Sequence, residues 1–228
     1  MDIPRAFEYI FNDPQWVSKL IITGIITLFA FATTPLLIGL AGWAVLLGYQ
    51  IALISNMRAG LQHPLPRWDD VSEYFSTGGQ ALVGAIVYML PVIIVASCVA
   101  TMGVMFANED STPLIALIGL CCLLPIALVS ALLFIPMYGL ALGRFTENPS
   151  VSMFFQFSSL FNELRAKRPI VIGYIVGTVI ASLIFGVING VPCLGWLVGA
   201  ALLTPVNGAL TGQYVMQMMG DKAKRKVS

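Results

Sequence analysis

Charge is what this sequence has least of. Only 10% of its 228 residues are Asp, Glu, Lys or Arg, against about 25% in an ordinary soluble domain. The one histidine, His63, lies between Gln62 and Pro64 with no serine or cysteine motif beside it that would make it a general base. HExxH, a Walker loop and paired carboxylates inside an apolar stretch are all missing. The four cysteines, Cys98, Cys121, Cys122 and Cys193, have no CxxC spacing and lie in or beside apolar segments. They read as small buried hydrophobes, and they identify no redox compartment. These absences predict no catalytic residue, no cofactor and no metal site, and hence no enzyme. A lipid-acting enzyme would have to draw its groups from Arg58–Glu73 or Asn148–Arg168. A net charge of +1 with basic residues confined to loops and tail gives no nucleic-acid footprint.

What is present is apolar: 58% hydrophobic residues and a mean hydropathy of +0.88. The few charges are clustered. None occurs in Leu20–Met57, Tyr74–Asn108, Ser111–Gly143 or Pro169–Gly220. About 20 helical residues cross a hydrocarbon core, so each stretch holds at least one span and the first and last hold two. The fold class is therefore all-α, a single polytopic transmembrane bundle over 1–228 with six membrane-spanning helices. The expected spans are Trp16–Thr33, Ile38–Met57, Gln80–Ala107, Pro113–Gly143, one opened by Pro169, and Leu194–Met219. Pro91, Pro125 and Pro136 fall inside spans, where membrane helices tolerate them as kinks.

Two shorter segments alternate apolar and polar residues at helical spacing. Ile3, Ala6, Phe7, Ile10 and Phe11 oppose Asp2, Arg5, Glu8 and Asn12. Further on, Met153, Phe154, Phe157, Leu160, Phe161 and Leu164 oppose Ser152, Gln156, Ser159 and Glu163. Both predict amphipathic helices lying on the membrane surface, the second over Val151–Leu164 with its polar stripe toward water. Asp13-Pro14 reads as an N-cap with proline opening the first span. The charged Met1–Trp16 segment predicts an uncleaved anchor in place of a signal peptide.

This map puts all 12 Lys and Arg residues on one side, in the N-terminal segment, the 58–79 loop, the second amphipathic segment and the basic tail 220–228 with Lys222, Lys224, Arg225 and Lys226. Opposite them lie uncharged turns and the acidic Glu109-Asp110 turn. By the positive-inside rule the basic side is cytoplasmic, with both termini there and the chain in the plasma (inner) membrane. The chain ends also repeat one plan, Pro14 answering to Pro169 and Gly42-Trp43 to Gly195-Trp196. That suggests degenerate parallel repeat units over 1–58 and 149–220.

Two features carry the functional expectations. The 58–79 loop holds Arg58, Pro66, Trp68, Asp69, Asp70 and Glu73. It reads either as a docking surface for a protein, lipid or ion, or as a helix start capped by Asp69 or Asp70 with Trp68 anchored at the headgroups. Small residues one turn apart, Gly173/Gly177, Gly186/Gly190, Gly195/Gly199 and Gly208/Gly212, together with Gly139/Gly143, predict close packing of the last two spans with each other or with a partner. In-span Gln50, Ser55, Asn56, Asn189, Asn207 and Gln213 either bond between helices or line a path for a neutral or zwitterionic solute. The leading expectation is a non-enzymatic scaffold, anchor or accessory subunit in contact with the bilayer and with a membrane protein partner or a second copy. A transport component is the alternative.

Asp13-Pro14-x-Trp16, Gly48-Tyr49, Arg58, Gly60, Leu65-Pro66-x-Trp68-Asp69, Gly78-Gly79, Tyr88 and Leu90-Pro91 together resemble a family of bacterial and archaeal polytopic membrane proteins grouped as domain of unknown function 4013. The likeness spans nearly the whole chain. Where members of that family often carry an acidic residue just before the loop glycine, this chain has Ser76-Thr77. The resemblance implies the architecture and supplies no reaction, cofactor or catalytic residue.

Overall fold

A computed structural model describes residues 1–105, 112–191 and 194–220. The acidic turn at Glu109 and Asp110, Pro192 and Cys193, and the basic tail beyond Gly220 lie outside the described residues. Among the described residues every regular element is helical: α1 Ile3–Phe11, α2 Trp16–Thr33, α3 Gly39–Arg58, α4 Val71–Met105, α5 Thr112–Phe145, α6 Phe157–Ala166, α7 Arg168–Asn189 and α8 Leu194–Met219. Short 3-10 turns precede α3, at Thr34–Leu36, and α6, at Val151–Phe155. Six of the helices, α2, α3, α4, α5, α7 and α8, are long and apolar enough to cross a membrane.

α8 is the axis of the bundle. It packs against α2, α3, α5 and α7 and receives α1, and Ala200, Leu202, Val206, Leu210, Tyr214 and Val215 on it are buried. α4 lies on the far side, against α3 and α5. The outward faces of α2, α4 and α7 carry Ile21, Ile25, Ile93, Ile94, Val176 and Leu183, all exposed. Such a surface is stable only against hydrocarbon. Cys98 and Cys121 are also exposed, which corrects their reading as buried hydrophobes.

Three features differ from the sequence expectation. α4 begins at Val71, nine residues before Gln80, so the loop after α3 shrinks to residues 59–70. Tyr74, Gly78 and Ala81 are buried there, and their helical spacing continues the face that packs on α3. The first turns of α4 look polar only because they project past the apolar layer. α2 has its expected bounds, Trp16–Thr33, but Pro14 does not open it. Asp13 spends its carboxylate on the backbone amide of Gln15 (2.8 Å) and on Lys19 (2.7 Å), in place of a helix cap.

The third difference is in the 151–166 segment, which is not one amphipathic helix. It breaks at Gln156, where φ is −81° and ψ is 50°. The Phe154 ring enters a slot between α4 and α5, where a side chain at Gly84 would collide with it. It stacks on Tyr138 (5.7 Å) and lies against Phe145 (5.4 Å), while the Tyr88 hydroxyl donates to its carbonyl (2.9 Å).

Candidate functional site

Every described Lys and Arg lies at the end of the bundle where α2 starts and α3 ends, and Lys19, Arg58, Arg144 and Lys167 are tied to another element there. Arg58, at the last turn of α3, has no exposed surface. Its guanidinium donates to the Gly143 carbonyl (3.2 Å) and the Thr146 hydroxyl (2.8 Å), and it pairs with Glu147 (2.5 Å). A cation on those groups also complements the C-terminal dipole of α5. Arg144, next to Gly143 in the chain, reaches outward to Gln156 and Ser159 (both 3.1 Å) and to Glu163 (2.6 Å), fastening α6 to α5. Lys167 donates to the Met218 carbonyl at the end of α8. The same end takes in α1, because the Gln213 side chain both accepts from the Asp2 amide and donates to the Asp2 carbonyl (2.9 Å each).

The loop 59–70 is the most tightly held connection at this end. α3 closes on Gly60, whose φ of +75° suits glycine, with Gly60 donating to the Met57 carbonyl and Leu61 to the Asn56 carbonyl. The Asn56 side chain holds the Pro64 carbonyl (2.9 Å), and Lys19, 9% exposed, donates to the Leu65 carbonyl (2.8 Å) while paired with Asp13, 3% exposed. Pro64, Leu65 and Pro66 are buried. The Trp68 indole stacks on Tyr49 (4.5 Å, 11° between planes) and donates to the Lys19 carbonyl (3.2 Å). Tyr74 meets both rings edge-on and closes the loop by donating to the Arg67 carbonyl (2.5 Å). Asp69, Asp70 and Glu73 stay exposed beside this lock. No described hydrogen bond or ion pair engages their carboxylates. The backbone carbonyl of Asp70 accepts the first helical bonds of α4, while its side chain does not cap the helix.

Beside the loop, α1 and the end of α8 enclose an open cleft of about 640 Å³ lined by Asp2, Arg5, Tyr9, Gln62, Gln213 and Gln217, with Met57 and Met216 among its apolar walls. Arg5 sits over the Tyr9 ring at 5.7 Å. The seam between α3 and α8 shuts beneath the cleft: a side chain at Gly212 would meet Met57, and one at Gly208 would meet Leu53.

The expected site residues thus fall into different classes. Arg58 is corrected from a docking residue to an internal brace, since nothing outside the bundle can touch it. Pro66 and Trp68 point inward and position the loop. Asp69, Asp70 and Glu73 are the outward part. His63 is exposed. Of the glycines, Gly195 and Gly199 lie against the end of α7, Gly208 and Gly212 against α3, and Gly139 and Gly143 against α8. Gly177 approaches Met1, Gly173 has no closer neighbour than Met1, and Gly186 and Gly190 meet no other helix. Gln50, beside Gly208, and Asn189, against Gly199, sit in helix contacts. The backbone carbonyls of Ser55, Asn189 and Asn207 accept from Ala59, Trp196 and Thr211. Sequence reasoning missed the Asp13–Lys19 pair and the bracing role of Arg144. A lysine six residues from an aspartate, one turn inside an apolar run, was the available signal.

Among the described residues no group of three His, Cys, Asp or Glu could hold a metal ion. No curated protein and no solved structure matches the chain. A profile of the family described as "Protein of unknown function (DUF4013)" matches residues 29–195. Within that span Tyr49 stacks on Trp68, Gly48 lies against α4 and Gly78 against α3. The chain belongs to the DUF4013 family of membrane proteins.

Proposed function

We propose that the protein is a non-enzymatic anchor or accessory subunit of the plasma membrane, with six spans, two interfacial segments (α1 and 151–166) and its basic end and termini in the cytoplasm. It presents the acidic edge of the 59–70 loop and the start of α4 to a partner protein with a basic surface. The observation that carries this reading is the contrast inside one loop. Leu65, Pro66 and Trp68 are fastened to the bundle, while Asp69, Asp70 and Glu73 are exposed without a described partner. A plain linker gains nothing from that rigidity, whereas holding charges in place reduces the ordering cost of binding. Anionic headgroups would repel three carboxylates, which favours a protein over lipid at this edge.

Replacing all three carboxylates with amides (D69N, D70N, E73Q) is expected to remove a stoichiometric partner recovered in mild detergent, with the melting temperature unchanged. Trp68→Ala is expected to lower both. Undiminished recovery from the triple variant would move the docking surface elsewhere. For the orientation, single cysteines at Leu36 and Gln62, in a background lacking the four native ones, are to be probed with an impermeant thiol reagent on intact cells. Labelling is expected at Leu36 alone; the reverse pattern would invert the topology.

The cleft favours a second reading, a site for a zwitterionic solute between Asp2 and Arg5, but its closed seam supports binding there more than passage. The exposed face of α7 around Gly186 is open to lipid or to a second copy. The Trp43 indole donates to the Thr34 hydroxyl (3.0 Å) and the Trp196 indole to the Asn189 carbonyl (3.0 Å), each across the turn before its helix. That likeness supports a parallel duplication of units 1–58 and 149–220.

A further inference from the structure

The polar stripe of the 151–166 segment is largely exposed and is tied to the bundle by one arginine. Gln156, Ser159 and Glu163 are all engaged by Arg144, and Leu160 and Leu164 are buried. Phe154, Leu160 and Leu164 turn into the bundle, while aromatic rings beside them stay exposed: Phe155 is 45% exposed, Phe157 38% and Phe161 46%. Phe157 is held in place by edge contact with Tyr88 at 5.4 Å. At spacings of four and seven residues beyond Phe161 come Arg165 and Arg168, both exposed. Neither meets a described acceptor, whereas Lys19, Arg58, Arg144 and Lys167 are all committed to protein groups.

We infer that the outer face of α6 and the start of α7 form a binding surface for an anionic phospholipid, with Arg165 and Arg168 on its phosphate and Phe157 and Phe161 among its acyl chains. The apolar and cationic parts follow each other in the order a lipid needs. α7 enters the apolar layer directly after Arg168, so the two guanidiniums stand at headgroup level and the rings beside them. A guanidinium offers paired donors that match two phosphate oxygens, and it is less strongly hydrated than a lysine ammonium, so desolvation at an interface costs it less. Arg67 is also exposed, but Asp69 and Asp70 follow it closely in the chain. It therefore serves as an internal control.

The test uses the purified full chain in detergent, with phosphatidylglycerol or phosphatidylcholine of identical acyl chains added, and counts retained lipid by native mass spectrometry. The wild type is expected to hold phosphatidylglycerol about tenfold more tightly than phosphatidylcholine. R165Q/R168Q should erase that preference, R67Q should leave it intact, and F157S/F161S should weaken retention of both lipids. The melting temperature of each variant is read in parallel, and R165K/R168K, which keeps the charge and loses the paired donors, should keep only part of the preference. Equal retention by wild type and R165Q/R168Q, or an equal loss in R67Q, would overturn the proposal by reducing the effect to net charge. Displacement of phosphatidylglycerol by inorganic phosphate at equal concentration would also overturn it, because the site would then take a free anion.

Discussion

Asp13→Ala is expected to destabilise the protein by about 3–5 kcal/mol, the range for removing one partner of a buried ion pair. Its carboxylate is 3% exposed and lies 2.7 Å from a Lys19 ammonium that is itself 9% exposed. Without Asp13 that ammonium keeps only the Leu65 carbonyl (2.8 Å) as an acceptor. The loss spreads, because Lys19 also joins α2 to the loop, and the Trp68 indole rests on the Lys19 carbonyl. In a detergent melt the shift should be about 10 °C, at a few degrees per kcal/mol for a chain of this size. The double variant D13L/K19M removes both charges and should recover more than half of the loss. It still leaves the Leu65 carbonyl without its donor, at about 1–3 kcal/mol. If the single and double variants melt together, the pair does not brace the loop.

The second large effect is expected at the crossing of α3 and α4. A side chain at Gly78 would run into the Ala44 carbonyl and the Gly48 amide of α3, and one at Gly48 into the Tyr74 backbone. These neighbours are main chain, so no rotamer change can relieve the overlap. Gly78→Val is therefore expected to cost more than about 4 kcal/mol, seen as loss of monodisperse protein in size-exclusion chromatography. Gly79→Ala, one position along, meets open space and should behave as wild type. Normal folding of the Gly78 variant would mean that the two helices do not cross backbone to backbone.

The architecture was legible because solvent dictates it: charge-free runs long enough to span a bilayer have few alternatives. The last span, Leu194–Met219, matched to the residue. Packing was less legible. Glycines one turn apart on a single helix are easy to find, yet the tightest crossing joins Gly48 and Gly78, which lie on different helices and form no motif with each other. Ala44, one turn before Gly48, was the small-residue signal for it. Arg58 looked like a loop cation because it ends an apolar run. Only the three-dimensional arrangement brings the Gly143 carbonyl, Thr146 and Glu147 to it. The Val151–Leu164 pattern described an amphipathic segment, but neither its break at Gln156 nor the hold of Arg144 on Gln156, Ser159 and Glu163 was legible in it. Asp69, Asp70 and Glu73 were legible as an acidic cluster. What holds them in place, a lysine on α2 and two tyrosines, was not.

The central claim is that the loop after α3 is a fixed part of the bundle and not a tether. Spin labels at Asn12 and Arg67, both exposed and both at the basic end, test it by double electron–electron resonance on the full chain in lipid nanodiscs. A single narrow distance distribution is predicted for the wild-type background, broadened by Trp68→Ala and by Asp13→Ala. A broad distribution already present before either substitution would contradict the account.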